Sequence, residues 1–393
     1  MKIKQPVASR AQAVSPFIVM EILERCKALE SEGQDIVHLE IGEPDFNPPK
    51  AVVAAAQKAI KQQKFKYTHS LGLQELREAV AQHYNSKYKV DVEASQVIIT
   101  NGTSPAMLLA FAVLLEPGAE VILTNPTYAC YPNFLRFFNG LPKYVYLKEK
   151  NKFQLEIEAV KKLLNLKTKA IVINSPANPT GMLLQKSVMQ ALAELASPNR
   201  LIISDEIYHG LVYDGQKEHS ILEFTKDAIV INGFSKFYAM TGWRLGYLIV
   251  PPSLVRPIQN LQQNFFIAAN TVAQWAAISA LTESKEELAA TVKVYNERRL
   301  FLCQRLKALG FSVPFYPEGA FYLLVNCRHL NPNSYELALK ILTEAKVALT
   351  PGIDFGDGAE GYLRFCYATD LTNLKEGCLR LEQWLKANKY LDD

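Results

Sequence analysis

A lysine set among apolar and small residues is chemically unlike a solvated surface lysine, and Lys236 occupies such a setting in the stretch NGFSKFYAMTGWRLGY, residues 232–247. Its flanks, Ile229-Val230-Ile231 before and Leu245 to Val250 after, are near-continuous apolar runs, the pattern of buried parallel strands. A loop lysine between two such strands is partly desolvated, which lowers its pKa and frees the neutral amine as a nucleophile. The chemistry this permits is Schiff-base formation with a carbonyl.

Other polar residues follow apolar runs in the same way. Asn101-Gly102-Thr103-Ser104-Pro105 comes after Val97–Thr100 and opens a helix that continues from Ala106 to Leu115. Gly102 permits the turn, Ser104 is a favoured N-cap, and Pro105 suits the first helical position. The free N–H groups there, with the helix dipole behind them, make an anion site, although an ordinary capped helix would read the same way. Tyr128 follows the strand Glu120–Leu123, where an aromatic ring either stacks on a planar ligand or packs into the core. Asn178 stands between Pro176 and Pro179, which fix its orientation. Asp205 follows Leu201–Ser204, an ordinary place for an N-cap, with Tyr208 three residues on.

The strands at 97, 120, 170, 201, 229 and 245 alternate mostly with helices, so the chain predicts an α/β fold with a mainly parallel sheet between helices. Each of these polar groups falls just after a strand, where open α/β sheets bind ligands. Helical spacing predicts helices over Phe17–Glu30, Pro49–Gln62, Leu73–Tyr88 and Ser284–Leu309. Ile36–Ile41 reads as a strand entering the breaker-rich turn Gly42-Glu43-Pro44-Asp45. Gly319–Val325 and Gly361–Phe365 read as strands of a smaller α+β domain, and the alternation Tyr362, Arg364, Cys366 fits a half-exposed strand. Residues 1–16 are polar and predict an arm.

Hydrophobic residues at 49% and charged ones at 21% are those of a globular chain, and argue against long disorder. A net charge of +4 without a basic block excludes nucleic acid and membrane surfaces as expected partners. Six scattered cysteines lack metal-ligand spacing and read as reduced thiols; with no apolar leader in the opening residues, the expected location is the cytoplasm.

The run S-K-x-x-A-M-x-G-W-R-x-G-Y resembles the lysine motif of the class I aminotransferases, aspartate aminotransferase-like enzymes of fold type I that hold pyridoxal 5'-phosphate as an imine on that lysine. N-x-P-x-N-P-T-G at 174–181 is similar to a second signature of the family, and Y-x-x-x-x-G-x-x-x-L-R-E from Tyr67 to a third. The resemblance spans about residues 17–385 and implies a seven-stranded, mainly parallel sheet plus a small domain. The implied division is an arm and part of the small domain over 1–45, a large cofactor-binding domain over 46–285 and a small domain over 286–393.

It also implies roles. Lys236 holds the cofactor and shuttles the proton; Arg244, Gly102, Thr103 and Ser104 hold the phosphate, with Ser235 as a substitute contact; Tyr128 stacks on the ring. Asp205 keeps the ring nitrogen protonated, while Asn178 and Tyr208 reach the phenolic oxygen. Arg364 binds the substrate carboxylate as a fork, Gly42 lets its backbone approach it, and Tyr67 crosses a homodimer interface to the other subunit's phosphate. The implied reaction moves the amino group of an L-amino acid to a 2-oxo acid with ping-pong kinetics. A β C–S lyase on the same fold is the enzyme rival, and a fold-sharing transcriptional regulator lacks support because the chain enters the catalytic pattern by about residue 17. Two positions depart from the family pattern: Gly233 stands where many members have a phosphate-binding serine, and Ser104 or Pro105 stands where some aspartate-specific members have a lysine. Phe17, Ile18, Tyr128, Phe265 and Phe266 are candidates for an apolar side-chain pocket.

Overall fold

In the computed structural model, which describes residues 7–391, the first strand is β1 (Val37–His38). It is followed by β2 (Val97–Thr100), β3 (Glu120–Asn125), β4 (Leu141–Tyr146), β5 (Thr168–Asn174), β6 (Leu201–Asp205), β7 (Ala228–Gly233) and β8 (Gly246–Ile249). The later strands are β9 (Tyr322–Asn326), β10 (Val347–Ala348), β11 (Thr350–Pro351) and β12 (Tyr362–Cys366).

Strands β2 to β8 form one seven-stranded sheet in the order β2-β8-β7-β6-β5-β3-β4. Pairing is parallel from β7 through β4, and β8 runs antiparallel to both its neighbours. Every residue of β2, β6, β7 and β8 is buried, as their largely apolar runs require of strands covered on both faces. Side-chain alternation sorts them into two cores. Ile203, Ile229 and Ile231 pack with Leu109, Ala110 and Phe111 of the Thr103–Leu114 helix. Ile202, Val230 and Ile249 pack on the opposite face with Ala276 and Ala277 of the Thr271–Thr282 helix. Each large aliphatic side chain buried this way stabilises the fold by about 1.5–3 kcal/mol before entropy is counted.

β4 has no counterpart among the strands read from sequence. It is an edge strand with only Val145 buried, and Leu141 and Tyr146 are about half exposed, so it lacks the apolar run that marked the others. The strand expected over Ile36–Ile41 shortens to β1, which pairs with β10 at Val37↔Val347 and His38↔Ala348. Beyond it Leu39 is tied on both sides, its N–H to Ala348 and its carbonyl to Cys366. β11, β12 and β9 form an antiparallel sheet. All five residues of β12 are buried, correcting the half-exposed reading of Tyr362, Arg364 and Cys366; the Nη atoms of Arg364 are bonded to the Glu40 carbonyl and to the Asn178 and Thr350 side chains instead of water.

The four helices expected from periodicity fall where predicted, as Ile18–Ser31, Lys50–Lys61, Gln74–Tyr88 and Lys285–Ala308. The helix after β2 starts differently. Gly102, at φ +98°, occupies the N-cap position, and Ser104 lies inside the first turn, so Ser104 is not the cap expected of it. Of the expected arm, Ser9–Gln12 is a single helical turn, and residues 1–6 lie outside the described residues. Among the described residues no helix is long and apolar enough to cross a membrane.

Candidate active site

The carboxyl ends of the parallel strands open into a cavity of about 390 Å³, within the size range of small-molecule sites. Its wall gathers Gly42, Thr103, Ser104, Tyr128, Asn178, Asp205, Tyr208, Ser235, Lys236, Arg244 and Arg364, residues spread over more than 300 positions of sequence. Gly102 adjoins it beneath Arg244. Tyr67 does not line it, and its side chain stands 82% exposed.

Lys236 follows the end of β7 by three residues, and its Nζ donates to the carbonyl of Gly42 at 2.6 Å. Burial favours the neutral amine and lowers its pKa to about 8; the acids Cys366 and Glu43 pull the other way, and the cations Arg364 and Arg244 lower it further. The pKa shift expected of a lysine between buried strands is therefore present.

At the end of β6, alternation points Asp205 into the cavity side and Glu206 into the opposite core, where Tyr84 and Ser220 bond it. Asp205 Oδ2 accepts from the Tyr131 hydroxyl at 2.6 Å and Oδ1 from the Ile207 N–H at 3.2 Å. Burial pushes its carboxyl up to about 6, opposed by those two bonds and by the charge of Lys236. Asn174 braces the same corner: its Nδ2 donates to the Asp205 carbonyl at 2.9 Å and its Oδ1 accepts from the Asn178 N–H at 2.8 Å.

Arg364 is 3% exposed. Its Nη1 donates to Asn178 Oδ1 at 2.9 Å, and its Nη2 donates to the Glu40 carbonyl and to Thr350 Oγ1. The guanidinium lies 4.3 Å from the ring centre of Tyr322 and 5.0 Å from that of Phe355, and Nε has no partner. A buried cation with an unpaired donor is unfavourable unless an anion completes it.

The loop after β2 meets the start of β8. A Cβ on Gly246 would sit 2.8 Å from the Gly102 carbonyl carbon and 2.9 Å from the Thr103 nitrogen, so only glycine lets these backbones pass. Gly102 in turn leaves room for Arg244, whose Nη2 would be 2.8 Å from an added Cβ. Arg244 itself has φ +51°, and its Nη1 donates to the Thr241 carbonyl at 3.0 Å. Free helix N–H groups at Thr103 and Ser104 and a nearby guanidinium form a cradle suited to a dianionic phosphate. At Gly233 an added Cβ would be 3.0 Å from Gly246 Cα and 3.2 Å from Thr103 Cγ2, so the departure from serine coincides with tight packing.

Sequence reasoning missed two tyrosines. The Tyr322 hydroxyl bonds that of Tyr208 at 2.8 Å and occupies the space a side chain at residue 42 would need. Tyr131, which holds Asp205, is one turn beyond Tyr128 on the same cavity side, the only hint of it in the sequence. Of the expected apolar side-chain pocket, Phe17 and Tyr128 line the cavity and meet edge to face at 6.1 Å. Ile18, Phe265 and Phe266 do not line it; Val19, Met20, Leu23, Met107 and Phe134 do.

A buried acid, a desolvated lysine and two guanidinium groups thus surround one cavity at the carboxyl ends of the strands. The family model for aminotransferase class I and II matches residues 34–381. The chain is 42% identical over 373 residues to a (5-formylfuran-3-yl)methyl phosphate transaminase of Methanocaldococcus jannaschii, covering 94% of this chain and 96% of that one. It is 39% identical over 385 residues to the aspartate aminotransferase of Thermotoga maritima, covering 97% and 100%. Among solved structures, aspartate aminotransferase from Thermus thermophilus with maleate superposes with a TM-score of 0.93 at 35% identity, over 97% of this chain and all of that one. A Methanococcus jannaschii protein similar in its active site to kynurenine aminotransferases gives 0.89 at 41% identity, again over 97% and 100%. The chain belongs to the class I and II aminotransferases, with their fold type I architecture and their activity.

Proposed function

We propose that this aminotransferase uses pyridoxal 5'-phosphate and moves the amino group of an L-amino acid with a large apolar side chain to a 2-oxo acid, in two half-reactions of a ping-pong cycle. The residues present fit the cofactor: the Thr103 and Ser104 N–H groups and Arg244 suit its phosphate, with Ser235 alongside, and Tyr128 suits the face of its ring. Bound there, the cofactor supplies an electron sink for the substrate carbanion.

The chain supplies the rest. Arg364, which lines the cavity, takes the substrate α-carboxylate as a bidentate fork, and Gly42 leaves its backbone open to that carboxylate. Lys236 Nζ holds the cofactor at rest; once displaced, it moves the proton off and onto the substrate Cα, with a pKa of about 8 suited to both directions. Asp205 would hold the proton of the cofactor's ring nitrogen, and Asn178 and Tyr208 would donate toward its ring oxygen. Tyr67 serves the phosphate of a second copy, in keeping with its exposure. A cut at 45/46 and another at 285/286 divide the chain into an arm with part of the small domain, a large domain and a small domain.

One observation supports this reading above others: Lys236 and Arg364 face one cavity. The side-chain preference rests on Phe17, Val19, Met20, Leu23, Met107 and Phe134, an apolar wall with no cation among them. Initial rates across a panel of amino acids with a common 2-oxo acid test both parts. Parallel double-reciprocal lines and the highest kcat/KM for aromatic or large aliphatic donors are expected; a preference for aspartate would overturn the side-chain assignment, and intersecting lines would overturn the ping-pong cycle.

A further inference from the structure

Behind the segment that carries Gly42, the fold brings together Cys26, His38 and Glu40, which nothing in their spacing had linked. Their donor atoms all lie within 4.8 Å of one another. Cys26 comes from the Ile18–Ser31 helix, His38 ends β1, and Glu40 follows two residues on. Glu40 is fully buried, and its Oε2 has no hydrogen-bond partner. Its Oε1 meets His38 Nδ1 at 2.7 Å, and the other ring nitrogen, Nε2, is 3.0 Å from Glu30 Oε1.

An ion pair between His38 and the two glutamates accounts for Glu30, His38 and one oxygen of Glu40, and leaves Glu40 Oε2 without a partner in a cluster that also holds the Cys26 thiol. A buried carboxylate oxygen without a partner is unfavourable, and the same oxygen is a strong ligand for a divalent ion. Thiolate, imidazole and carboxylate together are the donor set of zinc-class ions. A ligating histidine characteristically gives its second N–H to a carboxylate, the position Glu30 holds. Ile22, Ile36, Leu342 and Ala348 wall the thiol side with apolar surface, while His38 and Glu30, at 34% and 42% side-chain exposure, leave an entry path.

We propose that Cys26, His38 and Glu40 form a binding site for a divalent transition-metal ion of the zinc class, with Glu30 orienting the imidazole. Binding displaces the thiol proton of Cys26 and the Nδ1 proton of His38 to solvent; the ion's charge and redox state do not change. Water completes the coordination. The site bears on catalysis by position, because the Glu40 carbonyl accepts from Arg364 Nη2 and from Thr350 Oγ1. An ion on the Glu40 side chain stiffens the main chain that holds the substrate-binding arginine.

The test uses the full-length protein, stripped with a chelator and dialysed, then titrated with Co2+ and afterwards with Zn2+. About one Co2+ per chain is expected, with the near-ultraviolet charge-transfer absorption of a cobalt thiolate and loss of that absorption as Zn2+ displaces it. Cys26→Ala should lose the absorption, and Glu30→Gln should weaken binding by roughly 10–100-fold. Since Cys26 is fully buried, His38→Gln, at a partly exposed position, provides the second variant and should also lose stoichiometric binding. Lys236→Ala should keep the absorption, which separates this site from the cofactor assignment. Absence of the charge-transfer band in folded wild-type protein, or an undiminished band in His38→Gln, would overturn the proposal.

Discussion

Lys236 and Arg364 are anchored to one short stretch of main chain: Nζ donates to the carbonyl of Gly42 at 2.6 Å, and Nη2 donates to the carbonyl of Glu40 two residues earlier. The group proposed to move the proton and the group proposed to hold the carboxylate therefore share a ruler. That ruler is itself fixed by Leu39, bonded to β10 on one side and to Cys366 on the other.

Arg364→Lys should keep the charge and lose the fork. A lysine cannot bond Asn178, the Glu40 carbonyl and a carboxylate in one plane. A loss of about 2–5 kcal/mol in kcat/KM, carried mostly by KM for both amino acid and 2-oxo acid, is expected from steady-state kinetics. An unchanged KM would place the carboxylate elsewhere.

Asp205 predicts a trade between stability and function. Its folded pKa is raised, from 3.8 to about 6, so the native cofactor-free protein binds more protons than the unfolded chain in that window. Stability from this group therefore falls as pH rises from about 4 to 6, reaching a cost of about 3 kcal/mol above it. Asp205→Asn should make the cofactor-free protein more stable than wild type at pH 7 and not at pH 4, as thermal melts would register, while activity collapses. Equal melting at pH 7 would contradict the burial argument.

Gly246→Ala should damage cofactor binding more than folding. The added methyl would press on Gly102 and Thr103, the backbone proposed to hold the phosphate, and that loop must shift to relieve it. Affinity for pyridoxal phosphate, measured by titrating the cofactor-free variant, should fall by at least about 10-fold, the effect of misplacing one charge-assisted contact. Wild-type affinity would show that the cradle lies elsewhere.

Much of this was legible beforehand, and the exceptions share a cause. Strands buried on both faces, such as β6 and β7, announce themselves as Val/Ile runs, and the polar residues at their ends follow at once. β4 did not, because an edge strand half open to water has no such run. Ser104 looked like a cap by residue type, yet the close approach of Gly246 and Arg244 puts Gly102 at φ +98° in that place. Tyr131 and Tyr322 depend on contacts between distant segments, and the Cys26–His38–Glu40 cluster on how one helix packs against the strand that follows it, which no local pattern encodes.

Tyr67 offers a test of assembly. If it completes the site of a second copy, Tyr67→Ala and Lys236→Ala chains each fail alone, yet refolded together they form hybrids with one intact site. An equimolar mixture should recover up to about a quarter of wild-type activity, half of its dimers being hybrid with one of two sites intact. No recovery, in a mixture shown to contain hybrids, would mean that Tyr67 does not act across an interface.

The most direct measurement is to load the protein with pyridoxal phosphate, reduce it with borohydride and locate the modified residue by peptide mass spectrometry. The phosphopyridoxyl group should be found on Lys236, near stoichiometric, and amino transfer should cease in proportion to its incorporation. Modification confined to another lysine, with Lys236 unlabelled, would contradict the central claim.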